Sequence, residues 1–145
     1  MWAHSLLIAL APMLAEQGMY DADKHAKFYD AIWAVESSRQ TNPPDGDDGK
    51  SIGPYQIQEA YYKDAKEFMP EEIDFEYKDC RDMQCAEAVI RVYMLRYARE
   101  AWNNHDFQTL ARIHNGGPKG HKKKSTIPYW NKVQKVLQAK KGNQG

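Results

Sequence analysis

The sequence predicts an α+β fold, mainly α-helical with one small β-hairpin. Three observations carry this reading. Apolar residues recur at helical spacing through most of the chain, two short β-prone runs flank a Gly-Pro turn, and a Pro- and Gly-rich segment separates the first helix from those runs. A chain of 145 residues with 42% hydrophobic and 12% aromatic content is long enough to bury one full core.

The first helix is predicted from a cap at Asp21 to about Glu36. Ala26, Tyr29, Trp33 and Glu36 share one stripe, flanked by Phe28, Ile32 and Val35. Residues Thr41 to Gly49, with Pro43, Pro44, Gly46 and Gly49, read as loop. Ser51-Ile52 and Tyr55-Gln56-Ile57 read as two strands about Gly53-Pro54. A second helix runs from Glu59 to Phe68, ended by Pro70. Asp82 caps the longest helix, expected through about Trp102, with Met83, Ala86, Ile90, Tyr93 and Tyr97 in register. Asp106 caps a helix from Phe107 to about Asn115, which Gly116-Gly117-Pro118 stops. The last helix starts near Pro128 and turns Trp130, Val133 and Leu137 inward.

Twenty basic residues balance twenty acidic ones, which gives no support for nucleic acid as the main partner. Lys122-Lys123-Lys124 and Lys140-Lys141 could attract an anionic polymer or membrane surface, although a solvated face is the commoner meaning of such runs. The apolar run from Ser5 to Ala15 is too short to span a bilayer. It fits the apolar core of a secretory signal, or else an N-terminal helix packed on the domain. The organisation expected is therefore residues 1–17 as signal or N-terminal helix, 18–139 as the main domain and 140–145 as a basic tail. Cys80 and Cys85 are too few for a disulfide scaffold or a zinc site; their spacing permits one local disulfide in an oxidising compartment, or a pair of buried thiols in a reducing one.

Glu36 ends an apolar helix face, where partial desolvation favours the protonated form. Asp47 follows in a turn-rich loop with backbone N–H groups to spare. Two carboxyls in unlike surroundings can divide into one acid and one anion, the pairing used in glycoside hydrolysis. Turn residues and a helix-end salt bridge explain the same positions without chemistry, and the ligand spacing of a calcium-binding EF-hand is not met.

Longer blocks narrow the choice. Ala31-Ile32-Trp33-Ala34-Val35-Glu36-Ser37 is followed by Ser51-Ile52-Gly53-Pro54-Tyr55-Gln56-Ile57 and Tyr61-Tyr62-Lys63-Asp64. Then come Cys80-Arg81-Asp82-Met83-Gln84-Cys85-Ala86, Val92-Tyr93-Met94-Leu95-Arg96-Tyr97, Arg112-Ile113-His114-Asn115-Gly116-Gly117-Pro118-Lys119-Gly120 and Tyr129-Trp130. In this order, over about residues 28 to 137, the chain resembles the invertebrate-type (destabilase-type) lysozymes.

The resemblance implies a lysozyme-like fold and hydrolysis of the β-1,4 bond between N-acetylmuramic acid and N-acetylglucosamine in peptidoglycan. Glu36 stands where the family has its proton donor. Asp47 matches the family's aspartate, two residues before a glycine; the loop is one residue shorter than usual, which keeps Asp48 as an alternative. Goose-type lysozymes carry a similar Asp-x-Gly-x-x-x-Gly run, which also selects Asp47. By the same carry-over Lys50, Ser51, Ile52, Gly53, Pro54, Tyr55, Gln56, Tyr93, His114, Asn115 and Gly116 bind the sugar. The implied partner is bacterial peptidoglycan or a chitooligosaccharide, the location extracellular, and no metal or organic cofactor is needed. Some family members are assigned an isopeptidase activity on ε-(γ-glutamyl)-lysine bonds, for which Ser51 and His114 are the candidates here; a sugar-binding relative without turnover is the other rival. The chain departs from the family in its cysteines: Trp33, Ile52 and Ala65 stand at positions where the family has them. His114 is expected to contact sugar or to cap its helix, and Tyr55, Tyr61, Tyr62 and Tyr93 to stack on sugar rings or pack in the core.

Overall fold

The computed structural model describes residues 25–142, the last three by backbone alone. Asp21, the N-terminal apolar run and the side chains of the basic tail, for which the sequence raises expectations, lie outside the described residues. The first helix, α1, spans Ala26–Ser37 and buries Phe28, Tyr29, Ala31 and Ile32. It stops where Ser38 turns left-handed (φ 55°) and returns its N–H to Ala34. Arg39, also left-handed at φ 59°, reaches back to Asp30 with two hydrogen bonds of 3.1 and 2.9 Å.

The loop that follows closes at Gly46 and Ser51, which exchange backbone hydrogen bonds of 2.9 and 3.1 Å. Asp47, Asp48 and Gly49 fill the tip with three successive positive φ angles of 50°, 56° and 86°. Aspartate and glycine tolerate that conformation better than most residues. β1 (Ser51–Ile52) then pairs antiparallel with β2 (Ile57–Gln58), Ser51 opposite Gln58 and Ile52 opposite Ile57. Tyr55 and Gln56 therefore belong to the turn and not to the second strand as expected. The turn needs Gly53: its φ is 75°, and a Cβ there would sit 2.1 Å from the carbonyl oxygen of Cys80.

α2 (Glu59–Lys66) is two residues shorter than expected. Phe68 and Met69 instead donate to carbonyls three residues back, a tighter turn that leaves Phe68 exposed. α3 (Met83–Tyr97) starts at Asp82, whose carboxylate accepts from Cys85 N at 3.0 Å. Every residue from Cys85 to Leu95 except Glu87 is buried, as befits a helix covered on all sides. The helix was expected to continue to Trp102. It breaks at Ala98 (φ −147°, ψ 41°), and α4 (Arg99–Asn103) sets off from there. Trp102 is thereby laid flat on His25, with ring centroids 3.7 Å apart, and its carbonyl meets His25 Nε2 at 2.9 Å.

α5 (Phe107–Gly116) is capped by Asp106, which accepts from Thr109 N and Oγ1 at 3.2 and 2.6 Å. Gly117, at φ 86°, ends it. Two short 3-10 turns lead to α6 (Ile127–Gly142), which buries Val133 and half-buries Trp130 and Leu137. α1 and α5 both pack on α6, and α2 packs on α3.

Cys80 and Cys85 are both free thiols, fully buried. The disulfide expected of them is not made in this structure; the buried-thiol alternative describes it. Burial pushes each thiol up to about 12. Ile52 and Ala65 are core residues, while Trp33 is half-buried with its indole N–H donating to Gln40 O at 2.7 Å. Among the described residues no helix is long and apolar enough to cross a membrane, and no group of three or more His, Cys, Asp or Glu is placed to hold a metal ion.

Candidate active site

The end of α1, the Asp47 loop, the hairpin and the start of α2 form one wall of a cleft of about 510 Å³, and α5 with the chain after it forms the other. The first wall is held by Ser37, whose hydroxyl donates to Pro54 O at 2.8 Å and so ties the end of α1 to the hairpin turn. Arg81 grips Asp45, just before the loop tip, with bonds of 2.5 and 3.0 Å, and holds that carboxyl below its usual range.

Glu36 and Asp47 both line this cleft; Asp48 does not. Glu36 is 20% exposed at its side chain, and its Oε1 accepts from the Tyr129 hydroxyl at 2.8 Å. The same oxygen lies 3.6 Å from Nε2 of His114, which is only 4% exposed. The other ring nitrogen, Nδ1, is 3.1 Å from the Tyr61 hydroxyl. Asp47 Oδ2 accepts from Ser51 Oγ at 2.6 Å. The two carboxyls thus sit in different company: Glu36 beside Tyr129 and His114 at the end of a helix, Asp47 exposed at a loop tip beside one hydroxyl.

Of the expected sugar-contacting residues, Ser51, Gln56, Tyr93, His114, Asn115 and Gly116 line the cleft. Lys50, Ile52, Gly53, Pro54 and Tyr55 do not. Ile52 and Tyr55 point into the core, because the tight turn sends the Tyr55 ring inward to donate to Glu87 Oε1 at 2.7 Å. Burial, ahead of the Glu87 charge, pushes the Tyr55 hydroxyl far above its ordinary range. Lys50 is exposed and gives its carbonyl to Tyr77. The aromatics are mutually engaged: Tyr61 stacks on Tyr93 at 3.7 Å and 9°, and Tyr62 is buried, its hydroxyl donating to Phe75 O. His114 lines the cleft with its ring between Tyr61 and Glu36. Ser51 and His114 share the cleft, yet no hydrogen bond joins them among the described residues, since each is committed elsewhere.

Residues not anticipated here are Asp64, Gln58 and Lys123, which line the cleft, and Tyr129, which binds Glu36. Lys123 Nζ donates to Gly116 O at 2.7 Å and so fixes the loop after α5. For Tyr129 the only signal in the sequence was its place in the last resembling block.

Comparison with known proteins gives the ancestry. The family model described as Destabilase matches residues 30–136. The chain belongs to this family. Its relatives include a lysozyme of Meretrix lusoria, 42% identical over 87 residues (59% of this chain and 67% of the relative), and invertebrate-type lysozyme 6 of Caenorhabditis elegans, 34% identical over 90 residues (58% and 65%). A lysozyme of Ostrea edulis is 36% identical over 90 residues, 62% of its length. The chain thus matches about three fifths to two thirds of the length of these relatives. Among solved structures, the Meretrix lusoria lysozyme in complex with PliI of Aeromonas hydrophila superposes with a TM-score of 0.61 at 35% identity, covering 76% of this chain and 88% of that one. The Tapes japonica lysozyme gives 0.61 at 30% identity with the same coverage. The α+β architecture is that of the lysozymes of this destabilase family, with the cleft at the junction of hairpin and helices.

Proposed function

We propose that this chain is a lysozyme, a glycoside hydrolase of the β-1,4 bond between N-acetylmuramic acid and N-acetylglucosamine in bacterial peptidoglycan. One observation supports the reading above others: Glu36 and Asp47 line the same cleft, Glu36 held by the distant Tyr129 hydroxyl and Asp47 by the hydroxyl of Ser51 in its own loop. Glu36 acts as the general acid and delivers its proton to the glycosidic oxygen. Asp47, which accepts the Ser51 hydroxyl hydrogen at 2.6 Å, serves as nucleophile or stabiliser of the oxocarbenium-like centre. Of the expected set, Ser51, Gln56, Tyr93, His114, Asn115 and Gly116 line the cleft, and this reading assigns them to sugar binding. The enzyme works outside the cell, where its polymeric substrate is found.

The test is clearing of a bacterial wall suspension together with release of reducing ends. Wild type is expected to do both and Glu36→Gln neither. A wild type that binds chitooligosaccharide and releases no reducing ends is a sugar-binding relative instead.

A further inference from the structure

The two oxygens of Glu36 are treated differently. Oε1 accepts from Tyr129 of α6 at 2.8 Å and faces His114 Nε2 of α5 at 3.6 Å, beyond hydrogen-bond length but close enough for its dipole to act. Among the described residues Oε2 takes no hydrogen bond. Tyr129 is a reliable donor: burial, reinforced by the Glu36 charge, holds its hydroxyl proton far above the ordinary range of tyrosine. Burial and the neighbouring Tyr93 do the same for Tyr61. We assign the Tyr61 hydroxyl as donor to His114 Nδ1 at 3.1 Å, the tautomer that leaves the imidazole's own proton on Nε2, 3.6 Å from Oε1. The imidazole is held in that attitude by the Tyr61 ring, itself flat on Tyr93.

We propose that Tyr129 and His114 are positioning residues that pin Glu36 by Oε1, so that the transferable proton stands on Oε2. A carboxylic acid that accepts donors at one oxygen carries its hydrogen on the other. In the step itself the Oε2–H bond breaks as the glycosidic oxygen takes the proton. The C1–O bond then breaks with its electron pair leaving on that oxygen. The negative charge released onto Glu36 is shared with Oε1, which the Tyr129 O–H already serves and from which His114 Nε2 stands 3.6 Å away, and Asp47 answers the positive charge on the sugar. The polar groups facing Glu36 are Tyr129 from α6, His114 from α5 and Tyr61 from α2; His114 and Tyr129 are the two that bear on Oε1. This inference rests on Glu36 being the general acid.

Leaving-group dependence tests it. Tyr129→Phe removes only the hydroxyl. On a natural chitooligosaccharide, kcat is expected to fall about tenfold and KM to stay within about twofold. On a nitrophenyl glycoside, whose phenolate departs without a proton, the loss should largely vanish. His114→Leu is expected to repeat the pattern and His114→Gln, which keeps an N–H, to restore most of the rate, with thermal unfolding followed for each. Equal losses on both substrates, or wild-type kcat on the natural one, overturn the proposal. Glu36→Gln separates the layers: if that variant still hydrolyses the natural substrate, the general-acid reading falls and this one with it. If it is dead there and Tyr129→Phe is not impaired, only the positioning role falls.

Discussion

Ser51 donates its hydroxyl hydrogen to Asp47 Oδ2 at 2.6 Å, across a loop closed by backbone bonds between Gly46 and Ser51. The loop has room for four residues between that closing pair, and its left-handed tip turns Asp47 back over the strand it precedes. Hydroxyl and carboxylate are thus brought together by the local chain path. A hydrogen bond to a charged acceptor is worth about 1.5–3 kcal/mol. Ser51→Ala is therefore expected to lower kcat/KM about tenfold or more while leaving Glu36 and its partners in place. Steady-state kinetics on chitooligosaccharide checks it; an unchanged rate means that Asp47 does not depend on this bond.

The loop also distinguishes its two aspartates. Asp47 lines the cleft and Asp48 does not, although they are adjacent and both left-handed. Asn keeps the shape and tolerates that backbone conformation, so the substitution tests charge alone. Asp47→Asn is expected to cost about 100-fold or more in turnover, Asp48→Asn about twofold at most. The reverse order of effects on wall clearing moves the second carboxylate to Asp48.

Cys80 and Cys85 are buried thiols held protonated up to about 12. A thiol reacts as its thiolate and only where a reagent can reach it. The native protein should therefore resist a chromogenic disulfide reagent at about pH 8 and yield both thiols after unfolding without reductant. Silence after unfolding shows that the pair is oxidised.

Glu87 gives a pH-dependent test of the core. Burial raises its carboxyl above the ordinary range, against the opposing pull of the Tyr55 hydrogen bond and of Arg91. The folded protein therefore holds this proton to higher pH than the unfolded chain does. Its contribution to stability is full below the unfolded value of about 4.5 and is lost as pH rises through the raised one. Glu87→Gln keeps a carbonyl oxygen for Tyr55 and has no charge to bury. Denaturant unfolding should show the variant gaining on wild type as pH increases from acid to neutral, and a difference flat in pH refutes the shift.

The local features were legible because their causes lie within a few residues. Asp82 and Asp106 cap α3 and α5 through bonds to residues three positions on, and Gly117 ends α5 by its own φ. The hairpin was found, but its extent was not. Period-two reasoning counts Tyr55 as strand, whereas the turn at Gly53 throws its ring into the core toward Glu87, on a helix still to come. The helix to Trp102 was read as continuous because the apolar pattern runs through Ala98. The break is visible only once Trp102 is seen stacked on His25, 77 residues before it.

By itself the sequence determined most of the helices, the Asp82 and Asp106 caps, the turn-rich loop around Asp47 and the proposal of Glu36 as the acid. Each of these depends on neighbours in the chain or on the pattern of its blocks. The tertiary structure alone decided what surrounds that acid. Tyr129 reaches Glu36 from 93 residues away, and His114 and Tyr61 meet across 53. Such contacts follow no period along the chain. They exist only when α1 and α5 have packed on α6 and α2 on α3, burying the rings that carry them.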